Sequence, residues 1–319
     1  MPGRITQGDA IRRSGIPLEL IVSRLLPELQ MLSKGRYLYD DPEHTYYETD
    51  VWALGGWTDG ANSIEHAWFV ECKQRETDKF WCFFPQSQNV KELSRNSFMI
   101  DVLKERDGLR PARLAGLEKK LFPNLPVVGD GTQLLEKTPG NWDTDGNAIQ
   151  NAVRQAIMPI GHHVRWVFHR NLLLSYPGQT IELYLPVVAT TAQIYVVKDG
   201  VEWSELLKFQ NLADCFEHQP AVISAFTTPG YVTRFWSEAI TATLRDMFRN
   251  YPMGFARSKY LSSFQQDQED TYKRVAAQLT TNMPTRVLLV EADSLKTTLA
   301  TYLNELNSAV RAAIQVTET

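Results

Sequence analysis

The sequence predicts an α/β fold, and three observations carry that prediction. An amphipathic stretch, PLELIVSRLLPEL, precedes three apolar, β-prone runs between Tyr46 and Phe84. Strand-like runs return in HVRWVFHRNLLL, TIELYLPVVATTAQIYVV, AVISAFTT and TRVLLVEA. Segments of helical period lie between and after them. Strand and helix patterns that alternate in this way build a sheet flanked by helices.

Composition sets the outer bounds. The chain has 319 residues, 43% hydrophobic and 22% charged, which is ordinary for folded globular material. Its length suits one large domain or two ordinary ones. We expect residues 1–319 to form one elaborated domain, with a core at about 17–120 and a C-terminal extension of the sheet and helices over about 148–319. A net charge of −4 argues mildly against autonomous, tight nucleic-acid binding but leaves room for a local basic cleft. The three cysteines, Cys72, Cys82 and Cys215, form neither a zinc spacing nor an even disulfide set. Cys72 and Cys82 fall inside predicted strands and read as buried thiols, which fits a reducing cytoplasm. The N-terminal MPGRITQGDAIRRSG has no apolar signal core, and no run reaches transmembrane length. The expectation is therefore a cytoplasmic chain without a membrane partner.

Residues 1–14 are polar and expected to fray. Pro17 opens a helix, where its missing N–H costs little. Leu18, Ile21, Val22, Leu25, Leu26 and Leu29 give the helix its apolar stripe, and Pro27 should bend or end it. Glu19 lies beside the stripe, either leaning toward a neighbouring site or acting as a first-turn acid favoured by the helix dipole. Tyr37–His44 reads as a loop or edge strand. A meander follows, with Gly55-Gly56 and Asp59-Gly60 in the first connection and Glu76-Thr77-Asp78 turning into a strand at Lys79–Phe84. Asn89–Lys120 reads as helical. Its Lys91, Arg95, Lys104, Arg106, Arg110 and Arg113 form a solvated face, with DNA-backbone contact the second reading. Residues 123–147 read as loop material, with Asp143 or Asn147 capping a helix at Ala148–Met158. His162 and His163 diverge in an extended chain and take a structural role. Glu291 ends the last strand as a solvated acid or, less simply, a second-site acid. Further helices are expected at Trp236–Tyr251, Ser258–Leu279 and Ser294–Ile314.

The chemistry concentrates where charges interrupt apolar strands. Asp50 lies in the first run, and Glu71 and Lys73 in the second. Burying a charge is costly unless it is paired or holds a metal. Side chains alternate faces along a strand, so Phe69, Glu71 and Lys73 share one face and Val70 and Cys72 the other. If Tyr46–Trp52 pairs with Trp68–Lys73, Asp50 reaches the same end of that face. Two carboxylates and the Cys72 carbonyl then make an all-oxygen ligand set suited to a hard divalent cation such as Mg²⁺, which also keeps waters and substrate phosphates. Lys73 beside it would orient a water or stabilise its deprotonated form, the arrangement of metal-assisted hydrolysis. The plain alternative makes Glu71 and Lys73 a solvated edge pair and Asp50 a turn acid.

Asp50 followed by Glu71-Cys72-Lys73 resembles the D…(D/E)xK signature of restriction-endonuclease-like, or PD-(D/E)XK, nucleases. Those nucleases typically open with a helix carrying a Glu, matched here by Glu19. The run ECKQRETDKFWCFFPQ is similar to bacterial restriction-like proteins found in defence contexts. Thr49 stands where the signature's Pro would be, and the long spacing from Asp50 to Glu71 is absorbed by GGWTDGANSIEH. The resemblance covers roughly residues 17–86. It implies a restriction-endonuclease-like core with a central mixed sheet flanked by helices, elaborated C-terminally. It implies a metal-dependent nuclease in which Asp50, Glu71 and the Cys72 carbonyl hold Mg²⁺ or Mn²⁺, Lys73 activates water and Glu19 assists. DNA is the expected substrate before RNA, in antiviral defence, under control by an activating protein partner or a homo-oligomer. A non-catalytic nucleic-acid-binding or scaffold protein that reuses the fold is the alternative, since fold does not give function.

Overall fold

The structure, a computed structural model, describes residues 14–40, 46–59, 62–74, 79–85, 99–100, 124–138, 141–173, 179–225, 230–250, 270, 272–273, 276–277 and 286–315. The expected fraying N-terminus and the charged residues Lys91, Arg95, Lys104, Arg106, Arg110 and Arg113 lie outside these. It is an α/β protein with a large mixed sheet flanked by helices. No described helix is long and apolar enough to cross a membrane.

The first helix, α1 (Ile16–Glu28), starts at Gly15, whose φ of 79° is the left-handed conformation that glycine adopts without penalty. Pro17 sits in its first turn, and Leu18, Val22, Leu25 and Leu26 are buried. Three long strands follow: β1 (Leu32–Asp40), β2 (Tyr46–Asp59) and β3 (Asn62–Lys73), each antiparallel to the next. The expected continuation of this meander needs correction. The strand at Lys79–Pro85, β4, forms as read but does not pair with β3. Its neighbours are β6 (Val127–Thr138) and β9 (Gln193–Val197). The strand that borders β3 is β8 (Gln179–Thr190), parallel and in register along the whole of β3. Beyond β8 come β12 (Arg286–Glu291), parallel to it, and β11 (Ala221–Ala225), antiparallel to β12. The full order is β1-β2-β3-β8-β12-β11-β6-β4-β9-β10, with β10 at Phe216–His218. The two-residue β5 (Met99–Ile100) pairs with β8, and β7 (Asn141–Asp145) with β6. Within the stretch read as loop, Val127–Thr138 and Asn141–Asp145 are strand, and Met99–Ile100 is strand rather than helix.

The helix α2 (Gly146–Leu173) is longer than its sequence pattern suggests. It runs through Pro159 and takes in residues 163–173 of the HVRWVFHRNLLL segment, read as a strand. Asp145, not Asp143 or Asn147, caps it: its Oδ1 accepts the backbone N–H groups of Asn147 (2.9 Å) and Ala148 (3.2 Å). Two further long helices are α3 (Gly230–Asn250) and α4 (Leu295–Gln315).

Alternation along the strands divides the core between the two sheet faces. Phe69, Tyr184, Val188 and Leu289 pack with Ala152, Ala156 and Ile157 of α2 and with Trp236 of α3. Val51, Val70, Leu185 and Leu288 pack with Leu18, Val22 and Leu26 of α1 and with Leu299 and Tyr302 of α4. The α2 and α3 helices approach closely at Gly161, where an added Cβ would strike the Trp236 ring.

Candidate functional site

The β2–β3 ladder fixes the site. Its last backbone pair is Val51 with Val70, one step short of Asp50 and Glu71. Glu71 and Lys73 share the face covered by α2, where Lys73 meets Gln155. Asp50 reaches them through its bond to the Cys72 N–H rather than by strand parity, because both Asp50 and Val51 stand between Thr49, bonded to α2, and Trp52, packed on that same side. A β-bulge accompanies it: between the pairs Gly35–Trp52 and Tyr37–Thr49, β1 contributes only Arg36 where β2 contributes Asp50 and Val51. Bulges re-aim a side chain and end pairing. Here the Asp50 carboxylate replaces the next ladder bond, its Oδ2 accepting the Cys72 N–H at 2.7 Å. The Cys72 carbonyl leaves the strand on that same edge, since a strand residue points its N–H and C=O to one side.

Glu71 is 2% exposed. Its Oε1 accepts from Lys73 Nζ at 2.5 Å, and its buried Oε2 has no hydrogen-bond partner among the described residues. Lys73 Nζ also donates to Gln155 Oε1 of α2, at 2.8 Å. The Lys73 carbonyl is tied to β8 by the Thr190 hydroxyl (3.1 Å) and the Thr191 N–H (3.2 Å). The end of β3 is thus held on both flanks.

Gln155 owes its place to a proline. Pro159 has no N–H to give the carbonyl four residues before it, which is that of Gln155. The buried Thr49 hydroxyl of β2 donates to that carbonyl at 3.2 Å. The bond lets α2 pass through Pro159 and pins Gln155 beside the strand that carries Asp50.

Glu19 reaches the same neighbourhood from the opposite helix layer. Its Oε2 accepts from Arg36 Nη2, and Glu48 Oε1 accepts from Arg36 Nη1, both at 3.0 Å. Glu291 stands apart from this group. Register across β3, β8 and β12 aligns Lys73, Thr190 and Glu291 in one row. Glu291 is not the solvated strand-end acid of the simplest reading. Its Oε1 accepts from Ile194 N–H at 2.6 Å and lies 2.7 Å from His218 Nε2, so it ties β12 to β9 and β10. His162 and His163 lie in α2 rather than in extended chain, and Tyr37 Oη lies 2.9 Å from His162 Nδ1.

Burial sets the electrostatics. It raises the Asp50 carboxyl above the usual range, helped by the Glu19 charge and opposed by the Cys72 N–H and Lys73. Burial, then the Asp50 charge, pushes Glu71 up to about 7 against the pull of Lys73. The Cys72 thiol is driven far up by burial and the flanking acids, which removes it as a thiolate nucleophile near neutral pH.

The donor set fits a hard divalent cation. It offers the orphaned Glu71 Oε2, the Asp50 carboxylate and the Cys72 carbonyl, all oxygens. Among the described residues no three His, Cys, Asp or Glu side chains form a ready cage. A cation held there would take these oxygens and complete its shell with water or phosphate oxygens. Sequence reasoning brought Asp50, Glu71 and Lys73 together and missed Gln155 and Arg36. Pro159, four residues after Gln155 inside an apolar stripe, was the available signal for the first; Arg36 offered none. Comparison with protein-family models, with curated proteins and with solved structures gives no match.

Proposed function

We propose that this chain is a divalent-metal-dependent nuclease that hydrolyses phosphodiester bonds, on DNA before RNA, in a restriction-endonuclease-like core. The observation that carries the reading is the convergence of Asp50, Glu71 and Lys73 at the end of β2–β3, with one buried Glu71 oxygen left without a donor. A mixed sheet between helices, opened by a helix whose Glu19 charge acts on Asp50 and Glu71, supports the same reading.

Asp50, Glu71 and the Cys72 carbonyl would hold Mg²⁺ or Mn²⁺. When bound, the cation supplies Lewis-acid stabilisation of a phosphoryl oxygen and favours a deprotonated water. The Cys72 N–H orients Asp50, so the carboxylate is preset rather than mobile. Lys73 carries a positive charge next to the acids and offers a donor to an attacking water or a phosphate oxygen. Gln155 accepts a second hydrogen bond from that ammonium and so orients it.

Incubation of supercoiled plasmid, linear DNA and RNA with Mg²⁺ or Mn²⁺ tests the reading. The native chain should cleave, DNA first, and Asp50→Ala and Lys73→Ala should not, with folding intact by circular dichroism. Cleavage undiminished in both variants sinks the assignment.

A further inference from the structure

We propose that Arg36 is a latch on Glu19: it holds that carboxylate away from the cation position and releases it when a phosphate of the substrate takes the guanidinium. The proposal rests on the nuclease reading above and adds a regulatory step to it. Arg36 is the single β1 residue facing the Asp50–Val51 bulge, so it stands at the rim of the acid pair. Its two terminal nitrogens each hold a different carboxylate, Glu19 from α1 and Glu48 from β2. The three side chains differ in access: Glu19 is 18% exposed, Glu48 45% and Arg36 50%. The least exposed member is Glu19, whose charge acts on both Asp50 and Glu71.

The physics of exchange favours a switch over a fixed bridge. A half-exposed guanidinium ion pair is weak, so Arg36 leaves Glu19 at little cost. A phosphate offers it a bidentate fork that two separate carboxylates do not. Once released, Glu19 is a third oxygen ligand for a hard cation beside Asp50 and Glu71. Substrate binding then tightens cation binding, and by linkage cation binding tightens substrate binding.

Mn²⁺ titration of the full chain, by calorimetry or by the electron-spin signal of free Mn²⁺, tests this in native, Arg36→Gln, Glu19→Gln, the double variant and Asp50→Ala. Freeing Glu19 by Arg36→Gln should tighten Mn²⁺ binding about fivefold. The double variant should return to the affinity of Glu19→Gln alone. A short phosphorothioate DNA duplex should tighten Mn²⁺ binding in the native chain and not in Arg36→Gln. No gain in Arg36→Gln, or an equal gain in the Glu19→Gln background, overturns the latch; the second result would mean plain removal of a positive charge. Asp50→Ala separates the two levels. Mn²⁺ binding lost there while Arg36→Gln shows no gain refutes the latch alone. Mn²⁺ binding unchanged in Asp50→Ala refutes the cation site and the latch with it.

Discussion

Glu71 carries a charge conflict that pH can expose. Its carboxyl titrates at about 7 in the folded protein against 4.5 ordinarily, so between those values the folded state keeps a proton that the unfolded chain has lost. Its stabilising contribution is complete below pH 4.5 and lost as pH rises through 7. His66 acts in the opposite sense: burial lowers it to about 4 from 6.5, so its contribution is complete above 6.5 and lost as pH falls through 4. The windows overlap, so the test is a difference. Melting temperatures of native and Glu71→Gln, followed across pH 4.5 to 7, should diverge with the native protein falling behind. Saturating Mn²⁺ should restore the native protein at pH 7 and leave Glu71→Gln unmoved; equal slopes for both proteins would remove the conflict. Gln155 makes a second residue-scale prediction. As a positioning residue for Lys73, its replacement by Leu should lower hydrolysis while leaving Mn²⁺ affinity unchanged, whereas Lys73→Ala should lower hydrolysis by about a hundredfold or more.

At the scale of elements, the β2–α2 contact depends on a matched pair of defects. Pro159 withholds a hydrogen bond from the Gln155 carbonyl, and Thr49 supplies it. Thr49→Val should leave that carbonyl unsatisfied and cost about 1–3 kcal/mol in urea unfolding. In a Pro159→Ala background, where an N–H is restored, the same change should cost much less; an equal cost in both backgrounds would break the link. The α2–α3 contact gives a simpler test: Gly161→Ala forces a methyl into the Trp236 ring and should cost about 1–3 kcal/mol. These features mark the limit of sequence reading. The α1 stripe and the strands β2 and β3 were legible because their periodicity is local, and strand parity alone set Glu71 and Lys73 on one face. The bulge at Asp50 is flanked on β1 by Gly35, whose φ of 71° lies in the left-handed region, but nothing local to β2 shows that the two are paired. A proline normally ends a helical reading, so the extension of α2 past Met158 was invisible without Thr49, more than a hundred positions earlier.

For the whole molecule, the decisive fact is that β3 has β8 on its far side, in register from Asn62–Gln179 to Lys73–Thr190. Sheet order is a long-range property, so the sequence meander pointed to β4, which lies several strands away. The same distance hid the bridge from Glu291 to His218 and Ile194, which joins strands remote in the chain. The consequence is that residues on both sides of the long connection build the site together. A fragment ending at Asp145 lacks Gln155, α2 and β8, and its β3 presents a bare apolar edge. It should show no protection of the Glu71 amide, which points to β8, in hydrogen exchange, whereas the full chain protects it. The central claim is chemical and does not depend on which nucleic acid is cut, so a small phosphodiester tests it most directly. The native chain should hydrolyse bis(p-nitrophenyl) phosphate with Mn²⁺ or Mg²⁺, stop when the metal is chelated, and lose the activity in Asp50→Asn and Lys73→Met. Hydrolysis that persists under chelation, or that survives in both variants, would contradict the account.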